Sequence, residues 1–241
     1  AQSIATASLP TFSAQVASNQ IMEMKKSLSS TLRGILLLSL PASLGLIFLR
    51  EEIITLLYQR GAFTAESTRL VSWALLWYAA GLVAHALVEI LARAFYALHD
   101  TRTPVLIGSA AMSLNVVFSF IFSGLFSRMG WMPHGGLALA NSLATLLEMV
   151  GLLVIMHRRV GGLQGVRIWG GVRTAGLGGV LMAAALWAWL SAAKTAAVWV
   201  RGGAGILLGG LIYTASLLLL QTPEVKAGLQ FILKKIQPED G

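Results

Sequence analysis

The chain has 241 residues, 56% hydrophobic and only 12% charged, with a mean hydropathy of +0.74; a soluble domain carries about a quarter charged residues, so water is not its only solvent. Cysteine is absent, which excludes disulfides and thiolate metal sites. The formal charge of +8 does not point to nucleic acid, because the basic residues fall between apolar runs instead of forming one patch, and they read as topology signals.

Ala1 to Gln20 lacks the basic n-region of a signal peptide, and no initiator Met opens the chain. An apolar helical pattern interrupted by Pro10 is what a cut within a longer membrane protein leaves, so residues 1–30 are expected to hold the end of a preceding transmembrane helix and a cytoplasmic linker. Ser18 to Ser30, polar with Glu23, Lys25 and Lys26, reads as a surface linker or a short amphipathic helix. Six apolar runs follow, at Thr31 to Tyr58, Leu70 to Leu98, Pro104 to Phe126, Gly135 to Met156, Thr174 to Ala193 and Ala204 to Leu220. Runs of roughly 18 residues or more are the default signature of a membrane span. The expected fold is all-α, a polytopic membrane helical bundle of about six transmembrane helices. Pro41 should kink the first span, and Glu51 and Glu52 place its last turns at the interface.

Alternating the connections sorts the basic residues into two sets. Lys25, Lys26, Arg33, Arg102, Arg158, Arg159, Arg167, Arg173, Lys226, Lys234 and Lys235 flank one side, and the smaller set of Arg50, Arg60, Arg69, Arg128, Lys194 and Arg201 flanks the other. The positive-inside rule then puts both ends of the segment in the cytoplasm.

Ionisable groups inside spans cost a few kcal/mol each on insertion scales, so each requires a reason. In the second span Tyr78, His85, Glu89, Arg93 and Tyr96 recur at helical spacing and share one stripe. Glu89 and Arg93 stand in the favourable i, i+4 order, and either neutralise each other to seat the helix against a neighbour or line a hydrated pathway. The fourth span carries Asn141, Thr145 and Glu148 on one face. The third carries Gly108, Met112, Asn115 and Ser119, with Ser123 next along. Three successive polar stripes fit a bundle around a hydrated pathway, or interhelical hydrogen bonding worth about 0.6 kcal/mol each. Gly171, Ala175 and Gly179, then Gly205 and Gly209, give the last two spans small-residue faces for close contact; the runs themselves are uncharged and read as a packed pair attached to the rest. The basic connection His157 to Arg173 is expected to be a solvated loop or to meet anionic headgroups.

The equipment of a membrane enzyme is missing from the sequence: there is no H-E-x-x-H, G-x-S-x-G, P-loop or Asp-rich metal motif, and His85 is the one histidine inside a span. The chain is therefore read as a transporter component and not an enzyme.

The stretch ARAFYALHDTRTP, Ala92 to Pro104, resembles the signature of the MurJ/MviN lipid II flippases, in which a span ends in a Phe-Tyr pair, here Phe95 and Tyr96, before a short turn into the next. In that turn Asp100, Thr101, Thr103 and Pro104 have legible physics: Asp100 or Thr103 can cap the new helix, and Pro104 suits its first turn. LPTFSAQVAS at Leu9 to Ser18, LPAS at Leu40 to Ser43, and LLYQRGAFTAEST at Leu56 to Thr68 are further similarities. Glu89 stands where many relatives carry Lys, and Arg93 where Pro is common.

The resemblance implies a parent of fourteen spans in the multidrug/oligosaccharidyl-lipid/polysaccharide exporter superfamily, this segment running from the end of the eighth through the fourteenth. Residues 31–158 would be four transmembrane helices of the C-terminal lobe. Residues 159–241 would be a basic loop, two additional helices resembling those of a prenyl-tail groove, and a cytoplasmic tail. It implies passage of a lipid-linked peptidoglycan precursor across the bacterial inner membrane by alternating access, with the missing N-terminal lobe and membrane lipids as partners. Substrate-pathway candidates are His85, Glu89, Arg93, Tyr96, Asn141 and Glu148. No organic cofactor is implied; Na⁺ is a candidate coupling ion, with Asn115, Ser119, Asn141 and Thr145 as neutral oxygen donors. The alternatives are another superfamily transporter, for a polysaccharide-lipid or for drugs, or a non-transporting membrane scaffold.

Overall fold

The computed structural model describes residues 2–220, with the side chains of 166 and 167 excepted. The tail with Lys226, Lys234 and Lys235 lies outside the described residues. Among these the regular elements are all α-helices: α1 Gln2–Ala17, α2 Ile21–Phe48, α3 Arg50–Tyr58, α4 Ala65–Ala80, α5 Leu82–Ala97, α6 Arg102–Arg128, α7 Pro133–Arg159, α8 Gly165–Ala192 and α9 Val198–Leu219. Five of them are long and apolar enough to cross a membrane, and α4 with α5, bent by 47°, brings the number to six where the pair is counted as one broken span. The 27 residues of α6 span roughly 40 Å at about 1.5 Å per residue, enough for the hydrocarbon core and part of the headgroup layer. A helix closes its own backbone hydrogen bonds, which is why apolar runs of this length fold this way in lipid.

Four expectations change. The linker to Ser30 shrinks to Ser18–Gln20, and α2 starts at Ile21. Met24, Leu28 and Leu32, at i, i+4 and i+8, are buried in the core, while Glu23 and Lys26 pair at 2.7 Å on the exposed face. The polar residues thus mark one face of a continuing helix. The first span does not run on to Tyr58: it breaks at Leu49, and α3 follows as a separate short helix. The basic connection expected from His157 to Arg173 is largely helical, with α7 ending at Arg159 and α8 starting at Gly165.

The last pair of helices also carries charge and is integrated into the bundle. Arg201 in α9 binds Glu52 of α3 at 2.6 Å, and Glu52 is only 5% exposed. A β-carbon at Gly171 would meet the Arg33 side chain, and one at Gly179 would meet Leu40 and Leu44, so this face of α8 rests on α2. Gly209 faces Met182 and Leu186 of α8 and joins the pair to each other.

Two apolar cores result. One gathers Phe12 of α1, Met24, Leu28 and Leu32 of α2, Ile90, Leu91 and Phe95 of α5, and Leu152 and Met156 of α7. The other joins Leu37 and Leu49 at the far end of α2 to Met182, Leu186, Tyr213 and Leu217 of α8 and α9. Where α4 meets the α6–α7 turn, Trp73, Trp77, Phe126 and Trp131 stack edge to face with centroids 5.2 to 5.6 Å apart. The Trp73 indole donates to Met132 O at 3.1 Å.

At two of the helix disruptions, Pro41 and the α4–α5 break, hydroxyls from neighbouring helices supply missing donors. Pro41 has no N–H to give Leu37 O, its partner four residues back; the Tyr213 hydroxyl of α9 donates to that carbonyl at 2.8 Å. At the α4–α5 break Gly81 N–H turns to Tyr78 O, leaving Trp77 O without its usual i+4 donor. Ser142 of α7 donates to Trp77 O, and Ser43 of α2 donates to Ala79 O, each at 2.7 Å. Gly81 is required here by close approach, since a β-carbon would stand 2.8 Å from Ser142 Cα.

Candidate functional site

The polar stripes of three helices meet in a cleft of about 220 Å³ between α5, α6 and α7, lined by His85, Asn115, Asn141, Thr145 and Glu148 with Gly108, Ala111, Met112 and Ala144. Local sequence opens it. At one end of the α6–α7 hairpin Gly136 lets the two backbones touch, a β-carbon there falling 2.6 Å from Phe122 C. Further along, Gly108 leaves room for Glu148, whose Oε1 lies 3.2 Å from the position of a β-carbon on that glycine. His85 projects from α5 as the closing wall. Its Nε2 is 3.1 Å from Asn141 Nδ2 and 3.3 Å from Thr145 Oγ1.

The remaining candidates are not part of the cleft lining. Glu89 and Arg93 pair with each other at 3.2 Å, neither lining the cleft. Tyr96 is 37% exposed beyond them. Tyr78 belongs to α4, before the bend, so the five-residue stripe is split between two helices. Of the four expected Na⁺ donors, Asn115, Asn141 and Thr145 share the cleft; Ser119 lies outside its lining and its hydroxyl donates to Asn115 Oδ1 at 3.4 Å. Among the described residues no group of three or more His, Cys, Asp or Glu is placed to hold a metal. Hard cations need oxygens converging on one point, and the point shared by Asn141 and Thr145 is taken by an imidazole nitrogen.

The Phe95–Pro104 segment forms a joint between α5, α6 and α7. Phe95 is fully buried, and His99 sits at φ +56° after the end of α5, where Asp100 N–H closes onto Phe95 O at 3.0 Å. This is the six-to-one closure of a Schellman motif. Asp100, not Thr103, caps α6: its Oδ1 accepts from Thr103 N–H at 3.1 Å and its Oδ2 from the Thr103 hydroxyl at 2.7 Å. Arg159, at the end of α7, adds an ion pair to Oδ2 at 2.6 Å. The Thr103 hydroxyl foremost, then the Thr103 N–H, and with them Arg159, hold the Asp100 carboxyl below its ordinary value of 3.8. Pro104 is buried in the first turn of α6, and Thr101 is exposed.

A second hollow, an apolar groove of about 490 Å³, runs between α2 and α9 and is lined by Gly34, Leu37, Leu38, Pro41, Gly210, Tyr213, Thr214 and Leu217. Sequence reasoning missed Ser43, Ser142, Arg159 and Tyr213 as partners. For Tyr213 a signal existed, because Pro41 requires some donor for Leu37 O.

An all-helical bundle with five to six crossings and a polar cleft enclosed by three of them is a multi-pass membrane protein. The family described as Lipid II flippase MurJ matches residues 1–208, and the chain belongs to that family. It is 33% identical over 232 residues to the probable lipid II flippase MurJ of Vibrio cholerae serotype O1, covering 90% of this chain and 41% of that relative. It is 29% identical over 136 residues to the lipid II flippase MurJ of Thermosipho africanus, covering 56% of this chain and 27% of that protein. The chain thus spans less than half the length of these relatives. A solved structure, "Lipid II flippase MurJ, inward closed conformation", shares the fold with a TM-score of 0.69 at 24% identity, over 88% of this chain and 42% of the other.

Proposed function

We propose that this chain is part of a transporter that flips the lipid-linked peptidoglycan precursor lipid II across the bacterial inner membrane by alternating access, and that it performs no covalent catalysis. Family membership over residues 1–208 carries the proposal. Two hollows of opposite character support it. Polar groups held at membrane depth lower the cost of moving a charged headgroup through hydrocarbon, and His85, Asn141 and Glu148 supply them in the cleft. The groove between α2 and α9 has the apolar lining that suits a prenyl chain.

In this scheme residues 31–158 contribute four spans of a C-terminal lobe and 159–241 add two further helices and a tail. The upstream lobe of the same protein is the principal partner, with the surrounding lipids. The side bearing Lys25, Arg102, Arg158 and Arg159 is cytoplasmic, which puts both ends of the segment there. The contacts of Arg159 with Asp100 and of Lys25 with Gly161 O, at 3.4 Å, support a single basic end for these helices.

Complementation tests this. The full-length protein carrying these residues is expected to restore growth and peptidoglycan synthesis to bacteria depleted of their own lipid II flippase. Failure by a well-expressed, correctly inserted protein refutes the assignment.

A further inference from the structure

We infer that the polar cluster joining α5 to α7 is closed by His85 and holds no Na⁺. Asn141 presents its amide nitrogen to the imidazole, 3.1 Å from Nε2. An amide nitrogen only donates. In this amide orientation Nε2 is the acceptor, and the ring proton of a neutral imidazole sits on Nδ1. The Thr145 hydroxyl rotates freely and gives its proton to the same nitrogen at 3.3 Å. Two side chains from successive turns of α7 thus converge on a nitrogen lone pair of α5, at the point where a cation site would need empty space ringed by oxygen.

The other oxygens do not compensate. Asn115 Oδ1 turns one lone pair to Ser119, which stands outside the cleft. Glu148 is the one carboxylate in the lining, and it is directed at α6 beside Gly108. The cluster is a side-chain tie between two helices of the lobe, complete without an ion. The tie between α5 and α7 then needs no Na⁺ to form.

The test uses the purified full-length protein and does not depend on flipping, so the transport proposal can fail separately. Equilibrium binding of ²²Na⁺ is measured alongside the ¹⁵N spectrum of histidine-labelled protein, the His85 signal being assigned by its loss in His85→Gln. The expected result is a neutral His85 with Nδ1 protonated, its signal unchanged when choline chloride is replaced by NaCl at equal ionic strength, and no saturable ²²Na⁺ binding. Saturable binding that survives Asn141→Ala and Thr145→Ala also supports the inference, because it puts the cation elsewhere. Binding abolished by either substitution in folded protein overturns it. So does a Na⁺-specific movement of the His85 signal, which is read on the unmodified protein.

Discussion

Tyr213→Phe removes one oxygen and should reveal what the Pro41 break costs when left open. Leu37 O lacks its helical donor because Pro41 has no N–H, and the Tyr213 hydroxyl replaces that donor at 2.8 Å in a buried position. Side-chain hydrogen bonds in membrane proteins average about 0.6 kcal/mol, but a buried carbonyl left with no partner costs roughly 1–3 kcal/mol. Leu37 O is the second kind, so the expected loss is about 1.5 kcal/mol. Pro41→Ala restores an N–H to Leu37 O, and in that background Tyr213→Phe should cost no more than about 0.5 kcal/mol. The predicted coupling in a double-mutant cycle is therefore about 1 kcal/mol. Reversible unfolding in mixed micelles, following the full-length protein through its α2–α9 contact, measures all four corners. An equal Tyr213→Phe penalty in both backgrounds refutes the pairing between the proline and the tyrosine.

Gly81→Ala drives a methyl onto the Ser142 backbone and should destabilise by about 1–3 kcal/mol; unchanged thermal unfolding would show that the α4–α7 approach is looser than described. Glu52→Gln leaves Arg201 facing a neutral group where the carboxylate is 5% exposed, and should cost about 3 kcal/mol, the low end for a broken buried pair because Arg201 remains 27% exposed. Glu52→Leu with Arg201→Met should recover most of that in the same unfolding assay. Asp100 gives a pH dependence. Its folded carboxyl lies below its ordinary 3.8, so its contribution is complete above that value and fades as pH falls through the folded value. Asp100→Asn should therefore narrow the stability gap to the parent below pH 3.8, and a gap independent of pH there would contradict the capping role.

Hydropathy made the crossings legible because lipid leaves a long apolar run little choice but a helix. It misplaced the ends wherever protein, not lipid, covered a face. Glu23, Lys25 and Lys26 fit a surface linker or a short amphipathic helix; the second is found, as the first turns of a longer helix whose opposite face carries Met24 and Leu28 into the core. The second span read as one helix because Gly81 is a single small residue among many; only Ser142 pressed against it distinguishes it from Gly124, which has open space. The stripes on three helices were visible at helical spacing, and they assembled His85, Asn115, Asn141, Thr145 and Glu148 in one cleft. Which members would face one another was not visible, since the choice depends on the rotation of α5 after the bend. That rotation left Glu89 and Arg93 to pair on their own helix and brought His85 onto Asn141.

The bends and the cleft share one device. A helix broken in hydrocarbon exposes carbonyls that water does not reach, and Leu37 O, Trp77 O and Ala79 O are each answered by a hydroxyl from another helix. Tyr213 ties α9 to the proline turn of α2, Ser43 ties α2 to the end of α4, and Ser142 ties α7 to the same break. The chain of contacts runs α9–α2–α4–α7, and His85 closes it from α5 through Asn141 and Thr145. Shifting any one of these helices by a turn strands at least one carbonyl or nitrogen, so small relative movements within the group are costly in proportion to the polar groups they unpair. The six helices from α2 to α7 are not equally bound by this rule. Among the described residues α6 contributes little to the ties and keeps only 6% of its most apolar window buried. Instead α6 is held to α7 by backbone contact at Gly136 and by the Asp100–Arg159 pair at their ends, so it moves with α7 and not past it.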